Sequence, residues 1–263
     1  MGLIFDAGAA RLYEAWYQSP QGRAMETLVQ KSVSTLLELQ PGERVLDIGC
    51  GEGNHLLLLS GVGLRGTGLD ASPYMVRRAR ERLGHRATLD VGKAEDLPYQ
   101  DNEFDVALFI NTLEFLDDPI EALREAGRVA RRGVFIAVTN SLSWYGLCMK
   151  LRNLFRKSLF AYAASYNLWE MKSFVRSALG DVPIRWRSAQ VRAPALEKIG
   201  GFLSERWYLE KCPFGSFLGI SATIQYTMRT IQNPLKVQLG QAGRPVVRGA
   251  TMGEARNERS LPL

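Results

Sequence analysis

The chain has 263 residues, of which 46% are hydrophobic and 23% are charged, so it can bury one sizeable core and is not a disordered or collagen-like chain. Its net charge is +6, and part of this excess is local, since residues 236–263 carry five basic and two acidic side chains. This segment lacks apolar periodicity, which predicts a flexible basic tail over 235–263 and gives no reason to expect a nucleic-acid partner for the folded part.

The cysteine and hydrophobicity patterns indicate a cytoplasmic protein. The three cysteines are far apart, and only two histidines accompany them, so we expect neither a disulfide framework nor a metal site. No apolar run is long enough for a transmembrane helix, and the first residues lack the basic start and apolar stretch of a secretory signal.

The N-terminal part predicts helix followed by a strand. Residues 5–40 carry a helical stripe of apolar side chains that ends at Pro41-Gly42, and we assign 1–40 to an N-terminal helical lid. Residues 44–48 are apolar and bounded by glycines, which is typical of a buried strand, and the glycine-rich turn after them opens a helix.

Strand and helix then alternate, and we assign 41–140 to a cofactor-binding core. Ser72-Pro73 and Asp118-Pro119 predict helix starts, because the first residue caps free N–H groups and proline fits the first turn. Alternation of this kind predicts a parallel sheet covered by helices on both faces, with a ligand at the carboxyl ends of the strands. The predicted strands of this part are 44–48, 66–70, 87–91, 104–110 and 133–139.

After residue 140 the pattern changes to a predicted helical cap over 141–180. Residues 147–159 place leucines on one helical face and basic side chains on the other. This amphipathic stretch leaves open a peripheral contact with an anionic membrane, and its basic and aromatic side chains leave open an RNA substrate.

The last predicted elements complete the sheet within 181–234. Residues 184–192 and 217–228 have the composition of strands, and the length of chain between them allows an antiparallel pair at the sheet edge.

The turn after the first strand carries the most specific chemistry. Gly49, Gly51 and Gly53 permit positive φ and let a ligand approach the backbone, and the helix that follows presents free N–H groups. Asp70 ends the second strand, 23 residues after Asp47, where a carboxylate can accept hydrogen bonds from both ribose hydroxyls. These features predict a site for an adenosine ligand. The glycines are spaced two and two, whereas the dinucleotide fingerprint spaces them two and three.

On these residues the chain resembles the class I S-adenosylmethionine-dependent methyltransferases, of the small-molecule kind often called type 11. The resemblance implies an α/β fold with a doubly wound, seven-stranded, mostly parallel Rossmann-like sheet, an antiparallel last strand and a helical cap. It also implies S-adenosyl-L-methionine as cofactor and methyl transfer to a small-molecule acceptor. Four segments in the family's order carry it: 45–53, 68–75, 92–105 and 111–119.

The resemblance also implies roles at the two ends of the cofactor. At the methionine end, Asp47, Gly49 and Gly51 would line the ligand, with Asn54 near its carboxylate and Asn111 beside its ammonium group.

At the adenosine end, Asp70 would hold the ribose, Ala71 and Met75 would flank the adenine, and Ala94 and Glu95 would meet its edge.

Four further residues have two interpretations each. Tyr17 could close over the cofactor as a lid or pack as a helix aromatic, and Cys50, within the cofactor turn, is a small filler rather than a nucleophile. His55 fits a helix residue better than a catalytic base, and Glu114 fits a structural glutamate better than a general base. The sequence therefore assigns no catalytic residue.

Two positions depart from the family pattern. Lys93 stands where many relatives carry an acid, so the adenine contact would shift to Glu95 or to backbone groups. Phe115 stands where relatives often have a histidine, which argues against removal of a proton by histidine. Two other functions stay open: a non-catalytic cofactor-binding module that acts through a partner, and a nicotinamide-dependent reductase.

Overall fold

The computed structural model describes residues 4–143, 146, 163–189 and 212–224, all within one compact unit, Met1–Tyr226. The predicted amphipathic stretch 147–159 and the predicted basic tail 235–263 lie outside the described residues.

The N-terminal segment forms two helices where the sequence predicts a single helical stretch. Helix α1 (Ala7–Tyr17) begins at Asp6, whose carboxylate accepts hydrogen bonds from the N–H groups of the first turn. Helix α2 (Pro20–Leu37) begins after Ser19, which caps it, with Pro20 in its first turn. Proline donates no hydrogen bond to the preceding turn, so the first helix ends before it and a second begins.

A seven-stranded sheet confirms the predicted fold class. Its strands are joined in the order β3-β2-β1-β4-β5-β7-β6, and β7 alone runs opposite to the other six. Strand β5 begins three residues before its predicted start, beside a register irregularity in β4. The strands are β1 (Arg44–Ile48), β2 (Arg65–Asp70), β3 (Ala87–Val91), β4 (Phe104–Ile110), β5 (Ala130–Thr139), β6 (Ile184–Ala189) and β7 (Phe217–Thr223).

Helices cover both faces of this sheet. All seven residues of β4 are buried, and its alternate side chains enter different apolar clusters. The cluster on one face includes α5 (Pro119–Val129) and α6 (Leu168–Leu179), whereas the other includes α2. Burial on both faces explains why the central strands are continuous apolar runs instead of alternating ones.

Two shorter helices connect the first three strands. Helix α3 (Asn54–Gly61) packs on β2, and α4 (Pro73–Leu83) packs on β2 and β3. Single 3-10 turns follow α4 and β4, at Gly84–Arg86 and Leu113–Phe115. Within the described part of the chain, no helix is both long and apolar enough to cross a bilayer.

Candidate functional site

A cavity of about 340 Å³ opens at the carboxyl ends of β1, β2 and β4. Strand order reverses beside β1, and crevices at such a reversal bind ligands in open α/β sheets. The volume falls in the range of about 300–1,000 Å³ that is usual for small-molecule sites.

The glycine turn forms the floor of this cavity. Gly49 has φ +75°, and a Cβ atom there would lie 2.3 Å from Cγ2 of Thr112, so no larger residue fits. Gly51 has φ +54°, and a Cβ atom at that position would meet nothing within 4 Å, because that side of the turn faces the cavity. Gly53, also at positive φ, precedes α3 without a side-chain cap, which leaves the first N–H groups of that helix available.

Asp70 connects the glycine turn with the start of α4. Its Oδ2 atom accepts a hydrogen bond of 2.9 Å from the Gly51 N–H, and its Oδ1 atom accepts one of 2.8 Å from the Ser72 N–H. Burial raises the pKa of this carboxyl group, and the two N–H donors act against that increase. A carboxylate has about four acceptor positions, so each oxygen retains capacity for one ribose hydroxyl.

The adenosine end of the cavity, named for the ligand group that the sequence predicts there, is apolar with charged residues at its edge. Leu69, Met75 and Ala94 are buried side chains that line it. Lys93 and Glu95 both line it as well. That Glu95 or backbone groups, and not the side chain at position 93, contact the adenine stays a prediction.

The other end of the cavity begins where β4 stops. Asn111 has φ +53°, and its N–H donates to the carbonyl of Ala137 at 2.9 Å. The Thr112 hydroxyl donates to the carbonyl of Ile48 at 3.0 Å, which ties the end of β4 to the end of β1. Asn111 also hydrogen-bonds the Tyr13 phenol, so the N-terminal segment meets the sheet at this point.

Aromatic rings from distant parts of the chain form the wall at this end. Phe5 packs edge-to-face on Phe115, with ring centroids 5.2 Å apart, and on Tyr13, at 5.8 Å. The Ser72 hydroxyl donates to the carbonyl of Phe5 at 2.5 Å, which fastens the N-terminal segment beside the adenosine end. Burial is the main cause that raises the pKa of Tyr13, so its phenol stays protonated.

Three buried charged groups lie behind the glycine turn. Nε2 of His55 is 3.1 Å from Oε2 of Glu26, and Nδ1 of His55 is 3.9 Å from Oδ2 of Asp47. Burial alone would lower the pKa of His55, but the hydrogen bond and charge of Glu26 together with the charge of Asp47 raise it. Burial raises the pKa of Asp47 to about 6, although His55 acts in the opposite direction.

Cys50 and Glu114 have structural surroundings. The Cys50 thiol packs close to Gly68, where a Cβ atom would lie 2.8 Å from its sulfur, and burial raises the pKa of that thiol. Oε1 of Glu114 accepts a hydrogen bond of 3.0 Å from the Thr139 N–H, and burial raises the pKa of Glu114 to about 7. Glu114 lies outside the cavity lining and the buried Cys50 thiol stays protonated, so neither is placed to act as base or nucleophile.

The cavity brings together most of the residues predicted from sequence, but two lie outside its lining. Asp47 is buried behind the turn, and Tyr17 hydrogen-bonds Glu26 while Tyr13 occupies the wall. The predicted residues that line the cavity are Gly49, Cys50, Gly51, Asn54, Asp70, Ala71, Met75, Ala94, Glu95 and Asn111.

Sequence reasoning missed the part of the wall that the first residues of the chain supply. Ile4 and Phe5 belong to no motif, and only their position after folding brings them to the cavity. His55 also lines it, although the sequence suggested an ordinary helix residue. Among the described residues, no group of three or more histidine, cysteine or acidic side chains is arranged to hold a metal ion.

The cavity fits an adenosine ligand that carries a cationic end. Asp70 supplies a carboxylate at the ribose position, and Gly51 leaves the backbone open to the ligand. Both carboxylate oxygens of Asp47 are buried without a hydrogen-bond donor in the described part of the chain. Buried carboxylates normally acquire a donor or a cation, so a positively charged ligand group behind the turn would satisfy this one.

Comparisons with known proteins agree with this geometry. A family model described as a methyltransferase domain matches residues 46–138. The 27-O-demethylrifamycin SV methyltransferase of Amycolatopsis mediterranei (strain S699) is 29% identical over 158 residues, 54% of this chain and 58% of that protein. Ajmaline N-methyltransferase of Rauvolfia serpentina is 35% identical over 100 residues, 36% of this chain and 34% of that protein.

A solved structure extends the likeness to most of the chain. The magnesium protoporphyrin IX methyltransferase of Synechocystis PCC 6803, with bound S-adenosylhomocysteine, aligns with a TM-score of 0.61 at 17% identity. The alignment covers 84% of this chain and 96% of that one. At this identity the likeness establishes the fold, and the chain spans little more than half the length of several curated relatives that it matches.

Proposed function

The chain carries a methyltransferase domain of the class I family, whose cofactor is S-adenosylmethionine, and from this premise we propose that it transfers the cofactor's methyl group to a small-molecule acceptor. The observation that carries the proposal is the carboxylate of Asp70 beside a glycine turn at the rim of an open sheet. S-adenosylmethionine, when bound, supplies a sulfonium methyl group as the electrophile.

Residues of the glycine turn and of β2 would hold this cofactor. Asp70 would accept hydrogen bonds from the ribose hydroxyls, and Met75 with Ala94 would pack on the adenine. The backbone around Gly49 and Gly51, with the first turn of α3, would meet the methionine end. These contacts position the ligand, and positioning is the main contribution that a protein makes to methyl transfer.

The aromatic wall supports an apolar acceptor. Phe5, Tyr13 and Phe115 line the cavity as one packed group, and they would exclude water from the reacting groups. A quinone, a lipid or another apolar metabolite suits such a wall. The names of the two curated relatives identify small-molecule acceptors, a demethylrifamycin and ajmaline, which supports the same class.

Two other functions remain to be separated from this one. A binding module that acts through a partner would hold the same cofactor without turnover, and an RNA methyltransferase would use a polymeric acceptor. The proposed peripheral membrane contact through 147–159 would suit a lipid acceptor.

Turnover with methyl-labelled S-adenosylmethionine tests the proposal. The purified protein is incubated with the cofactor and either a fraction of small metabolites or total RNA, with the Asp70→Ala variant as a matched control. We expect label in a small molecule, and at least about tenfold less label with the variant at a cofactor concentration below saturation. Label in RNA would contradict the small-molecule assignment, and binding of the cofactor without transfer to any fraction would favour the partner-dependent module.

A further inference from the structure

His55 lies between the carboxylates of Glu26 and Asp47, and all three side chains are largely buried. The side chains of His55 and Glu26 are 11% and 12% exposed, and that of Asp47 is 1% exposed. Each group comes from a different element: Glu26 from α2, Asp47 from β1, and His55 from the first turn of α3. An isolated buried charge is costly, so three neighbouring charges persist only if they compensate one another.

The two ring nitrogens of His55 both face protein groups. Nε2 makes the hydrogen bond with Glu26, and Nδ1 faces Asp47. At 3.9 Å, Nδ1 is too far from Asp47 for a hydrogen bond, so the ring acts on that carboxylate through its charge.

The surroundings of Glu26 keep that carboxylate charged. The side-chain amide of Gln30 donates to its Oε1 atom at 3.0 Å, and the Tyr17 phenol also hydrogen-bonds it. Burial would raise the pKa of Glu26, but the hydrogen bond and charge of His55 lower it to about 2. An anion fixed in this way favours the imidazolium form of His55.

Of the three groups, Asp47 has the fewest contacts that stabilise its charged form. It has no hydrogen-bond donor among the described residues, whereas Glu26 has three partners. The other charged groups that face Asp47 are Asp70 at the end of β2 and Glu26, and both disfavour its ionisation. The imidazolium of His55 is the cation that opposes them.

We propose that His55, held as a cation by Glu26, is a positioning residue that keeps the Asp47 carboxylate ionised and oriented toward the cationic end of the cofactor. This inference rests on the proposed function, because it requires a ligand with an ammonium group at the methionine end of the cavity. With the trio charged, the pocket presents a net negative charge to that end. The hydrogen bond between His55 and Glu26 also connects α2 with the first turn of α3, so the N-terminal helices and the cofactor site share one network of charges.

The test is the pH dependence of S-adenosylhomocysteine binding, measured by calorimetry for the wild-type chain and for His55→Gln. In the wild type we expect affinity to fall as the pH decreases through about 6, where Asp47 takes up a proton. Loss of the His55 cation raises the pKa of Asp47 further, so the fall should move up by about one pH unit, with binding roughly twofold weaker near pH 7 and about tenfold weaker near pH 5. At higher pH the variant should regain affinity, which a merely structural defect would not permit.

Two variants complete the design. Glu26→Gln should move the profile in the same direction by a smaller amount, because it weakens the imidazolium but also removes an anion that disfavours ionisation of Asp47. His85→Gln is the matched control, since His85 is exposed and is the second of two histidines in the chain. It should leave the binding profile unchanged, and in an NMR titration it leaves one imidazole signal, which must belong to His55.

The outcomes separate this inference from the function on which it rests. If the wild type does not bind S-adenosylhomocysteine at any pH, the proposed function fails. If the wild type binds and His55→Gln keeps the wild-type pH profile, the function stands and the positioning role is wrong. If His55→Gln does not fold, the NMR titration of His85→Gln and the binding profile of Glu26→Gln test the positioning role instead. A His55 imidazole that is neutral at pH 7, or a Glu26→Gln profile without a shift, overturns that role.

Discussion

The two ends of the cavity are built in different ways. The rigid end takes its turn from residues 49–53 and its carboxylate from Asp70, and both are set by short contiguous motifs. The aromatic end takes its rings from Phe5 and Tyr13, near the N-terminus, and from Phe115, 102 residues after Tyr13. A locally encoded site is rigid because backbone geometry fixes it, whereas the aromatic wall depends on tertiary packing of the N-terminal segment. This difference predicts distinct responses to mutation.

The largest effect is expected for Gly49→Ala at the rigid end. The substitution places a side chain at φ +75° and a Cβ atom 2.3 Å from Cγ2 of Thr112. Backbone strain and overpacking together should lower the free energy of unfolding by about 2–5 kcal/mol. Chemical denaturation of the ligand-free protein measures this change.

Gly51→Ala is the control for that prediction. Gly51 also has positive φ, but a Cβ atom there meets nothing within 4 Å, so only about 1–2 kcal/mol of stability should be lost. The added methyl group would instead enter the cavity and weaken cofactor binding. Equal destabilisation by both substitutions would contradict the description of the turn.

The second effect concerns Glu114, beneath the aromatic end. Burial raises its pKa to about 7 from an ordinary value of 4.5. Below about pH 4.5 Glu114 is protonated in both the folded and the unfolded state. Between pH 4.5 and about 7 it releases its proton only in the unfolded state, so the free energy of unfolding falls as the pH rises toward 7. The accumulated loss is on the order of 3 kcal/mol at pH 8.

Glu114→Gln should remove this loss, because the amide oxygen can still accept the hydrogen bond from the Thr139 N–H. The measurement is the difference in unfolding free energy between variant and wild type at pH 5 and at pH 8. A difference that is the same at both values would show that Glu114 titrates normally.

The third effect is expected for Asp70→Ala, on binding. Two ribose hydroxyls would lose a charged acceptor, at a cost of about 1.5–3 kcal/mol, which is roughly a 10- to 150-fold loss of affinity for S-adenosylhomocysteine. Asp96→Ala provides the control, because Asp96 is exposed, lies outside the cavity lining and belongs to the same sequence segment as Ala94. Unchanged affinity of the Asp70 variant would remove the ribose assignment.

The smallest effect is expected for Phe115→Ala at the aromatic end. Loss of the edge-to-face contact with Phe5 should weaken docking of the N-terminal segment by about 0.5–1.5 kcal/mol. Amide hydrogen exchange in α1 should then be about 2- to 10-fold faster.

Phe174→Ala is the matched control, because its ring makes a similar contact with Tyr166, 5.5 Å away, on α6. It should leave exchange in α1 unchanged. Equal acceleration by both variants would show that the N-terminal segment is not held by the aromatic wall.

The sequence predicted the rigid end well because its information is local. A strand followed by glycines, then an acid at the end of the next strand, specifies a turn and a carboxylate whose positions depend on few other residues. The number of strands and the antiparallel last strand could be expected from the family resemblance, and the structure confirms both.

The remainder required the fold. Phe5 is held at the cavity by tertiary contacts, among them a hydrogen bond to its carbonyl from the hydroxyl of Ser72, 67 residues away. His55 was expected to be an ordinary helix residue, since its carboxylate partner Glu26 lies 29 positions earlier and no spacing rule joins α2 to α3. Helix periodicity over 5–40 also concealed the break that Ser19-Pro20 makes.

A crystal structure of the protein with S-adenosylhomocysteine tests the central claim most directly. We expect the ligand in the cavity at the ends of β1, β2 and β4, with both ribose hydroxyls within hydrogen-bond distance of the Asp70 carboxylate and the amino-acid end against the glycine turn. A ligand bound elsewhere, or bound here with its ribose away from Asp70, would contradict the account.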